Sequence, residues 1–196
     1  MDFTNWKWLN QSQMTQSGGT ITITAPPQTD WFNNPFSENG TYDAPVANAP
    51  FFYTEVTGDF VFRAKVRPNF AATYDACALM VIQDENLWTK AAFEKSDFGT
   101  TAAVCVVTNR LSDDANGCNI EQDEVWLQIA RVGDVFVTFY SLDGQRFDMV
   151  RLFHLPVDKT VKVGLEAQSP TGAGGPRMFS HVTLEHRTLQ NPRAGI

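Results

Sequence analysis

The segment from 86 to 95, Asn-Leu-Trp-Thr-Lys-Ala-Ala-Phe-Glu-Lys, places an aromatic ring, a cation and a carboxylate at alternate positions. Side chains of a β-strand point alternately to opposite faces of the sheet. If the segment is a strand, one face is a packing face made of Leu87, Thr89, Ala91 and Phe93. The other face is a polar one, equipped to bind a ligand, and it is made of Trp88, Lys90, Ala92 and Glu94.

Side chains elsewhere in the sequence could complete a saccharide site around this polar face. An aromatic ring stacks on the C–H bonds of a sugar, and amides or carboxylates form paired hydrogen bonds with neighbouring hydroxyls. We therefore predict a ligand-binding set of aromatic, amide and charged residues: Trp88, Lys90, Glu94, Tyr140, Gln168 and Trp31. The alternative is a merely solvated face, whose cross-strand ion pairs contribute roughly 0.2–1 kcal/mol each.

Glu94 could also serve a glycoside hydrolase or lyase, since glycosidases use two carboxyl groups about 5 to 10 Å apart. No second acid lies two residues away on the same strand, so a partner must come from a neighbouring strand. Glu166 is the first choice, followed by Asp75 and Asp84. The Glu-x-Asp-x-Glu pattern of many sandwich-fold glucanases is missing, and we assign no catalytic residue.

The segment from Ser112 to Asp123 has a spacing of residue types similar to that of a calcium-binding loop. Oxygen-bearing residues occupy its first, third and fifth places, and Gly117 occupies the sixth. It begins with Ser instead of Asp, ends with Asp instead of Glu, and has strands instead of helices on either side. Turn formation by Asp114 and Asn116 is the simpler interpretation. We predict no metal site and no cofactor, and calcium binding by this loop stays an open alternative.

Alternation of apolar and polar residues, punctuated by turn residues, predicts the strands that position these candidates. It is clearest over 59–67, where Phe and Val residues alternate with Arg and Lys residues. Ten strands are predicted, with a loop at 109–120 among them: 19–25, 59–67, 76–83, 86–95, 101–108, 124–132, 135–142, 146–154, 161–167 and 178–186. Short turns and nearly absent helical periodicity predict an all-β sandwich of two antiparallel sheets, in one domain spanning 1–196.

A long segment at 25–58 interrupts this pattern with five prolines and seven aromatic residues. So many aromatic side chains indicate an ordered loop packed onto the body. It would either close an open end of the sandwich or supply aromatic platforms and Asn or Asp side chains to a cleft wall. Rings turned into the cleft would favour a saccharide ligand, and rings turned outward would favour a protein partner.

The net charge and the amino-terminal sequence argue against some classes of binding partner and indicate a cellular location. A net charge of −7 without a basic cluster argues against nucleic-acid and membrane partners. The three cysteines form neither a CxxC pair nor a metal-ligand spacing. The first residues lack a basic stretch followed by an apolar one, so no secretion signal is visible and we expect a cytoplasmic protein.

Seven motifs along nearly the whole chain carry a family resemblance: Thr29-Asp-Trp-Phe-Asn-Asn-Pro, Phe51-Phe-Tyr-Thr-Glu-Val-Thr-Gly-Asp-Phe, Leu79-Met-Val, Trp88-Thr-Lys-Ala-Ala-Phe-Glu, Val107-Thr-Asn, Ser112-Asp-Asp-Ala-Asn-Gly and Tyr140-Ser-Leu-Asp-Gly. Together they resemble domain of unknown function 1349, a concanavalin A-like family that includes the fungal protein named for regulation of enolase. The hairpin at 140–144 is also similar to the sandwich module attached to some β-xylosidases.

This resemblance implies a jelly roll of two sheets whose concave face is the ligand site in related lectins and glucanases. It implies no defined reaction. The fungal relative adds a third hypothesis beside saccharide binding and glycoside cleavage, namely a protein that binds and regulates a metabolic enzyme.

Overall fold

The computed structural model describes residues 1–196 and contains eighteen β-strands and no helix. In chain order they are β1 (Lys7–Leu9), β2 (Met14–Ser17), β3 (Thr20–Ala25), β4 (Trp31–Phe32), β5 (Ser37–Glu38), β6 (Thr41–Tyr42), β7 (Val46–Ala47), β8 (Phe51–Thr57), β9 (Phe60–Arg67), β10 (Ala76–Asp84), β11 (Leu87–Lys95), β12 (Thr101–Asn109), β13 (Leu111–Asn119), β14 (Val125–Val132), β15 (Val135–Ser141), β16 (Asp148–His154), β17 (Thr160–Gln168) and β18 (Gly175–Glu185). All ten predicted strands are present, with small shifts at their ends. The structure has no long apolar helix of the kind that crosses a bilayer.

Fourteen of the strands form two seven-stranded antiparallel sheets. The sheet that carries the 86–95 segment, called the site sheet, has the order β1-β8-β17-β10-β11-β12-β13. The second sheet has the order β16-β15-β14-β9-β18-β3-β2. The remaining strands form two short ribbons, β4 with β7 and β5 with β6. The predicted all-β, concanavalin A-like jelly-roll sandwich of two antiparallel sheets is confirmed.

The main hydrophobic core lies between the two sheets and contains 29 buried residues. Strand β9 contributes to this core the four side chains that alternation predicts to point inward, namely Phe60, Phe62, Ala64 and Val66. From β11 the core takes Phe93, and Leu87 packs at its margin. The two faces of the 86–95 segment are therefore separated as predicted, with the even-numbered side chains pointing away from this core.

The outer face of the site sheet carries a second apolar cluster of 13 buried residues. Trp88 of β11, Phe51 of β8 and Val106 of β12 belong to it. Residues 26–50, which connect β3 to β8, lie over this face and add Trp31 to the cluster. We call residues 26–50 the covering segment. Because of it, the face that the sequence presents as polar and solvated is partly a buried interface.

The prediction of one long loop at 25–58 is wrong in its extent. Its last part, Phe51–Thr57, is strand β8 of the site sheet and pairs with β17. Alternation is hidden there because both faces are buried: Phe51 enters the outer cluster and Phe52 enters the main core. A strand covered on both sides loses the apolar-polar period on which the prediction depends.

The covering segment lies across the site sheet and does not close an open end of the sandwich. A main-chain bridge joins Thr29 to Ser169, just beyond β17. Farther along, the side-chain amide of Asn33 donates hydrogen bonds to the carbonyl groups of Glu85 and Arg110. These two residues lie in the β10–β11 and β12–β13 turns, at the ends of the strands opposite to Ser169. These contacts hold the segment over β10, β11 and β12.

The prediction of a loop at 109–120 is also wrong, because Leu111–Asn119 forms β13, the edge strand of the site sheet. Polar and charged side chains are usual on edge strands, where they discourage pairing with other chains. Most of the 112–123 stretch is therefore extended strand and not a calcium-binding loop. No group of three or more His, Cys, Asp or Glu side chains is arranged to hold a metal ion.

Candidate ligand-binding site

A cavity of about 340 Å³ opens between the covering segment and the outer face of the site sheet. Nine residues line it: Asp30, Phe32, Phe36, Tyr74, Lys90, Glu94, Val106, Asp114 and Gln168. Three come from the covering segment, one from the loop before β10, and five from strands of the site sheet. Of the six residues predicted to bind a ligand, the structure brings Lys90, Glu94 and Gln168 to this cavity.

The register of the strands explains why these side chains meet. Lys90 of β11 is aligned with Asp114 of β13, with Val106 of β12 between them. In the same way Glu94 of β11 is aligned with Gln168 of β17, with an alanine of β10 between them. Neighbouring strands lie about 4.8 Å apart, so long side chains on one face can reach across a small residue and converge.

Lys90 ties the covering segment to the sheet. Its side chain is only 3% exposed, and its Nζ donates to Asp30 Oδ1 at 3.1 Å, to the Trp31 carbonyl at 2.9 Å and to Gln168 Oε1 at 2.6 Å. An ammonium group has three N–H donors, so all of them are used inside the protein. Burial opposes the charged form, but the carboxylates around it, first that of Asp30, outweigh burial and raise the pKa of Lys90.

The amide of Gln168 is also fully used, while Glu94 remains available. Nε2 of Gln168 donates to the Tyr74 carbonyl at 2.9 Å and approaches Glu94 Oε2 at 3.4 Å. Glu94 has no other hydrogen bond and stays half-buried in the cavity wall. Burial raises the pKa of Glu94 to about 8. At neutral pH it is therefore mostly a protonated acid that a ligand can reach.

Glu166, the first-choice partner for a catalytic pair, shares this face of the sheet but does not line the cavity. It is 0% exposed, and neither of its carboxyl oxygens has a hydrogen-bond partner. Burial raises the pKa of Glu166 to about 8 as well. Because a substrate has no access to this carboxyl group, the geometry does not support Glu94 and Glu166 as two acids that flank a glycosidic bond.

The other two acids considered for that role are also elsewhere. Asp75 is buried in an ion pair with Arg177, with Oδ1 and Nη2 2.6 Å apart. Asp84 is the exposed last residue of β10, and its carboxylate accepts a hydrogen bond from the backbone N–H of Asn86 in the following turn. Both carboxylates stabilise turns, and neither lines the cavity.

Asp114 is a lining residue that the sequence reasoning assigned to a turn. The residue is exposed and its carboxylate makes no hydrogen bond within the protein, while partial burial beside the cavity raises its pKa. The sequence pattern that could have predicted its position is the alternation of polar residues at Ser112, Asp114 and Asn116. All three pair with β12 residues whose side chains lie on the outer face. An edge strand of polar residues is easily mistaken for turn chemistry.

The aromatic wall of the cavity consists of Phe32, Phe36 and Tyr74. Phe36 is 80% exposed, so its ring contributes little to the folded core. Tyr74 has a φ of 65°, a left-handed conformation that is rare for a bulky residue. Its N–H donates to the Lys95 carbonyl at 2.7 Å and its own carbonyl accepts from Gln168, so two hydrogen bonds hold it there.

Trp88 and Trp31 do not provide the predicted stacking platforms. Trp88 is 0% exposed, and its Nε1 donates to the Glu85 carbonyl at 3.1 Å. Trp31 is 4% exposed and packs edge-on against Trp88, with ring centroids 6.3 Å apart. Both indoles lie inside the outer cluster because the covering segment closes over them. Neither offers a ring face to a ligand.

Tyr140, also predicted as a ligand contact, lies on β15 of the second sheet. Its ring packs against the main core, and its hydroxyl accepts a hydrogen bond from the Cys118 thiol at 2.8 Å. The hairpin that follows Tyr140 belongs to the second sheet, so the predicted grouping of this residue with the polar face of β11 is wrong.

The fold and the chain length agree closely with those of a functionally unknown protein from Saccharomyces cerevisiae. Its solved structure superposes with a TM-score of 0.86 at 26% sequence identity, covering 96% of this chain and 100% of the yeast chain. The carbohydrate-binding module CBM66 from Bacillus subtilis has a TM-score of 0.60 at 14% identity, covering 94% of this chain and 97% of the module.

A larger protein, described as a bifunctional GH43-CE from Bacteroides eggerthii, contains a similar sandwich. The TM-score is 0.72 at 13% identity, and the match covers 95% of this chain but only 24% of that protein. No protein with a curated description matches this sequence. The sequence profile described as "Protein of unknown function (DUF1349)" matches residues 8–187. The chain therefore belongs to the DUF1349 family, as its motifs indicated.

Proposed function

We propose that the cavity over the site sheet binds a saccharide. The observation that carries this proposal is the lining, in which three aromatic rings and three carboxyl groups surround a space of about 340 Å³. This volume falls within the roughly 300–1,000 Å³ of small-molecule sites. The rings can pack on the C–H face of a sugar, while carboxyl oxygens accept hydrogen bonds from its hydroxyl groups.

The orientation of the aromatic residues in the covering segment supports a saccharide over a protein partner. Trp31 is buried in the outer cluster, and Phe32 and Phe36 line the cavity. Tyr42, at 48% exposed, belongs to neither the outer cluster nor the cavity lining. The similarity of the fold to a carbohydrate-binding module from Bacillus subtilis is a second support.

Calorimetric titration with neutral, amino and acidic oligosaccharides at millimolar concentration tests the proposal. We expect binding heat and a rise in melting temperature with at least one of them, because a ligand that binds only the folded state stabilises it. The absence of both signals for every sugar would overturn saccharide binding.

A pair of matched variants locates the site. Phe36→Ala removes a ring of the cavity wall and should weaken binding about tenfold, the effect of losing a substantial contact residue. Phe98→Ala removes a ring that is equally exposed, at 83%, but lies outside the lining. The Phe98→Ala variant should bind the saccharide with the affinity of the original protein. Equal affinities for both variants would exclude the cavity as the binding site.

Glycoside cleavage is a second candidate, favoured by one observation. Glu94 borders the cavity and holds its proton near neutral pH, as a general acid must. Asp114 is the acid of the sheet that could serve as its partner, since Glu166 is inaccessible. If the protein turns over aryl glycosides, Glu94→Gln should reduce the rate by about 10²-fold or more. An unchanged rate in that variant would reject the role of Glu94.

A further inference from the structure

The cavity has no free cation to offer to a ligand. Lys90 is its only basic lining residue, and all three of its N–H groups are bonded to Asp30, Trp31 and Gln168. The Gln168 amide is likewise engaged through both its oxygen and its nitrogen. A carboxylate or a phosphate on a ligand would therefore enter without an ionic partner, and such a group is costly to bury.

The acidic side chains of the lining, in contrast, keep unused acceptor atoms. Asp30 binds Lys90 and a backbone N–H through Oδ1, and its Oδ2 makes no hydrogen bond in the protein. Asp114 has no partner at all, and Glu94 has only the long contact to Gln168. Behind them lies the buried Glu166, whose two oxygens are unpartnered. Of these four carboxyl groups, Glu94 and Glu166 keep their protons near neutral pH, so the attraction for a cation depends chiefly on the carboxylates of Asp30 and Asp114.

The aromatic wall adds to this preference. The face of an aromatic ring carries partial negative charge and attracts an ammonium group that approaches it within about 6 Å. Phe32, Phe36 and Tyr74 present three such rings beside the carboxyl groups. Rings next to unpaired acceptors form a good environment for a positively charged amine, which can satisfy several acceptors with one group.

We propose that the saccharide bound here carries a free, protonated amino group, so that the natural ligand class is amino sugars rather than neutral or acidic sugars. The inference rests on the proposed function, and it adds the charge of the ligand. The ammonium group donates to the open oxygens of Asp30, Glu94 or Asp114 and lies against the aromatic wall.

Three tetrasaccharides that share one backbone and differ in one substituent test the inference: cellotetraose with a hydroxyl, chitotetraose with an acetamide, and fully deacetylated chitotetraose with an amine. Calorimetry below neutral pH and at physiological salt should show the amine form binding about tenfold more tightly, since charge-assisted hydrogen bonds are roughly twice as strong as neutral ones. Equal or tighter binding of the hydroxyl or acetamide form would overturn the amine preference and leave saccharide binding intact. If none of the three binds, both proposals fail for this ligand class.

A matched pair of variants separates the cavity from general surface attraction, since a chain of net charge −7 attracts any oligocation. Asp114→Asn removes a lining carboxylate and should abolish most of the preference for the amine form. Asp113→Asn removes the same charge from the neighbouring position, which points to the other face and pairs with Arg151. It should retain the preference. An equal loss in both variants would assign the attraction to the surface and overturn the inference.

Discussion

The Nζ atom of Lys90 lies 2.6 Å from Oε1 of Gln168, although strand β10 separates the two strands that carry them. The same nitrogen binds the carbonyl of Trp31, so one side chain joins the sheet to the covering segment. The site is consequently organised around an internal cation. Its ligand-accessible groups are those at the margin of this network, chiefly Glu94, Asp114 and the aromatic wall.

Replacement of Lys90 should destabilise the protein strongly. Lys90→Met leaves the Asp30 carboxylate without its cationic partner and the Gln168 oxygen without its donor, and breaking a buried charge pair costs about 3–5 kcal/mol. Urea denaturation measures the free energy of unfolding. Lys7→Met is the control, because the side chain of Lys7 is 63% exposed in its pair with Glu55. Its effect should stay below about 1 kcal/mol. Similar losses in both variants would contradict the anchoring role of Lys90.

Glu166 should make the protein less stable as the pH rises. Burial raises its pKa from an ordinary value of 4.5 to about 8, so the folded chain keeps a proton that the unfolded chain releases. Its stabilising contribution is complete below pH 4.5 and is lost as the pH rises through about 8. The steepest slope is about 1.4 kcal/mol per pH unit for one group.

Glu166→Gln tests this pH dependence. The variant should match the original protein at acidic pH and unfold at higher urea concentration above pH 8, with a shallower fall because Glu94 still titrates. Glu55→Gln changes a largely exposed carboxylate and should follow the original profile. An unaltered profile in Glu166→Gln would mean that this carboxyl group does not titrate as described.

Trp88 should behave as a core residue and not as a binding residue. Trp88→Ala removes a fully buried ring and should lower the free energy of unfolding by about 3–5 kcal/mol. Phe98→Ala, at an exposed position, should change it by no more than about 0.5 kcal/mol. Urea denaturation compares the two variants. If Trp88→Ala kept its stability and lost saccharide binding, the result would support the stacking role that the sequence predicted for Trp88.

Asp75 should support the cavity from outside it. Its carboxylate accepts from two backbone N–H groups of the preceding turn, from Ser169 and from the fully buried Arg177, and it directly follows Tyr74. Asp75→Asn leaves the guanidinium uncompensated and should cost about 3–5 kcal/mol. Because the turn holds Tyr74, ligand affinity should fall as well, as calorimetry would show. Normal stability in Asp75→Asn would refute this role.

The sequence predicted the polar side of the site sheet well. Strict alternation over 87–95 is a local property, so it separated Lys90 and Glu94 from the main core without knowledge of the neighbours. Gln168 was identified by residue type, as an amide able to bind sugar hydroxyls, directly after the predicted strand at 161–167. Burial of Trp88 was missed because it depends on residues 26–50, which lie far away in the sequence and have no period that would dock them on a particular face.

The rest of the lining was missed for related reasons. Asp30 and Phe36 belong to irregular backbone and Phe32 to the two-residue strand β4, and none of these settings lets the residue types predict the direction of the side chain. Tyr74 is oriented by a left-handed backbone conformation, which residue patterns seldom reveal in a tyrosine. Tyr140 was placed with the site only by residue type, and strand order in the two sheets is a long-range property that alternation does not determine.

The separation of two hydrophobic clusters by one sheet has an evolutionary consequence. Residues of the covering segment pack on the outer cluster and do not enter the 29-residue core between the sheets. Substitutions there can reshape the cavity while the architecture is inherited unchanged. Two descendants of one ancestor can therefore keep the same sandwich and diverge in the ligand they recognise, so that specificity has to be established member by member.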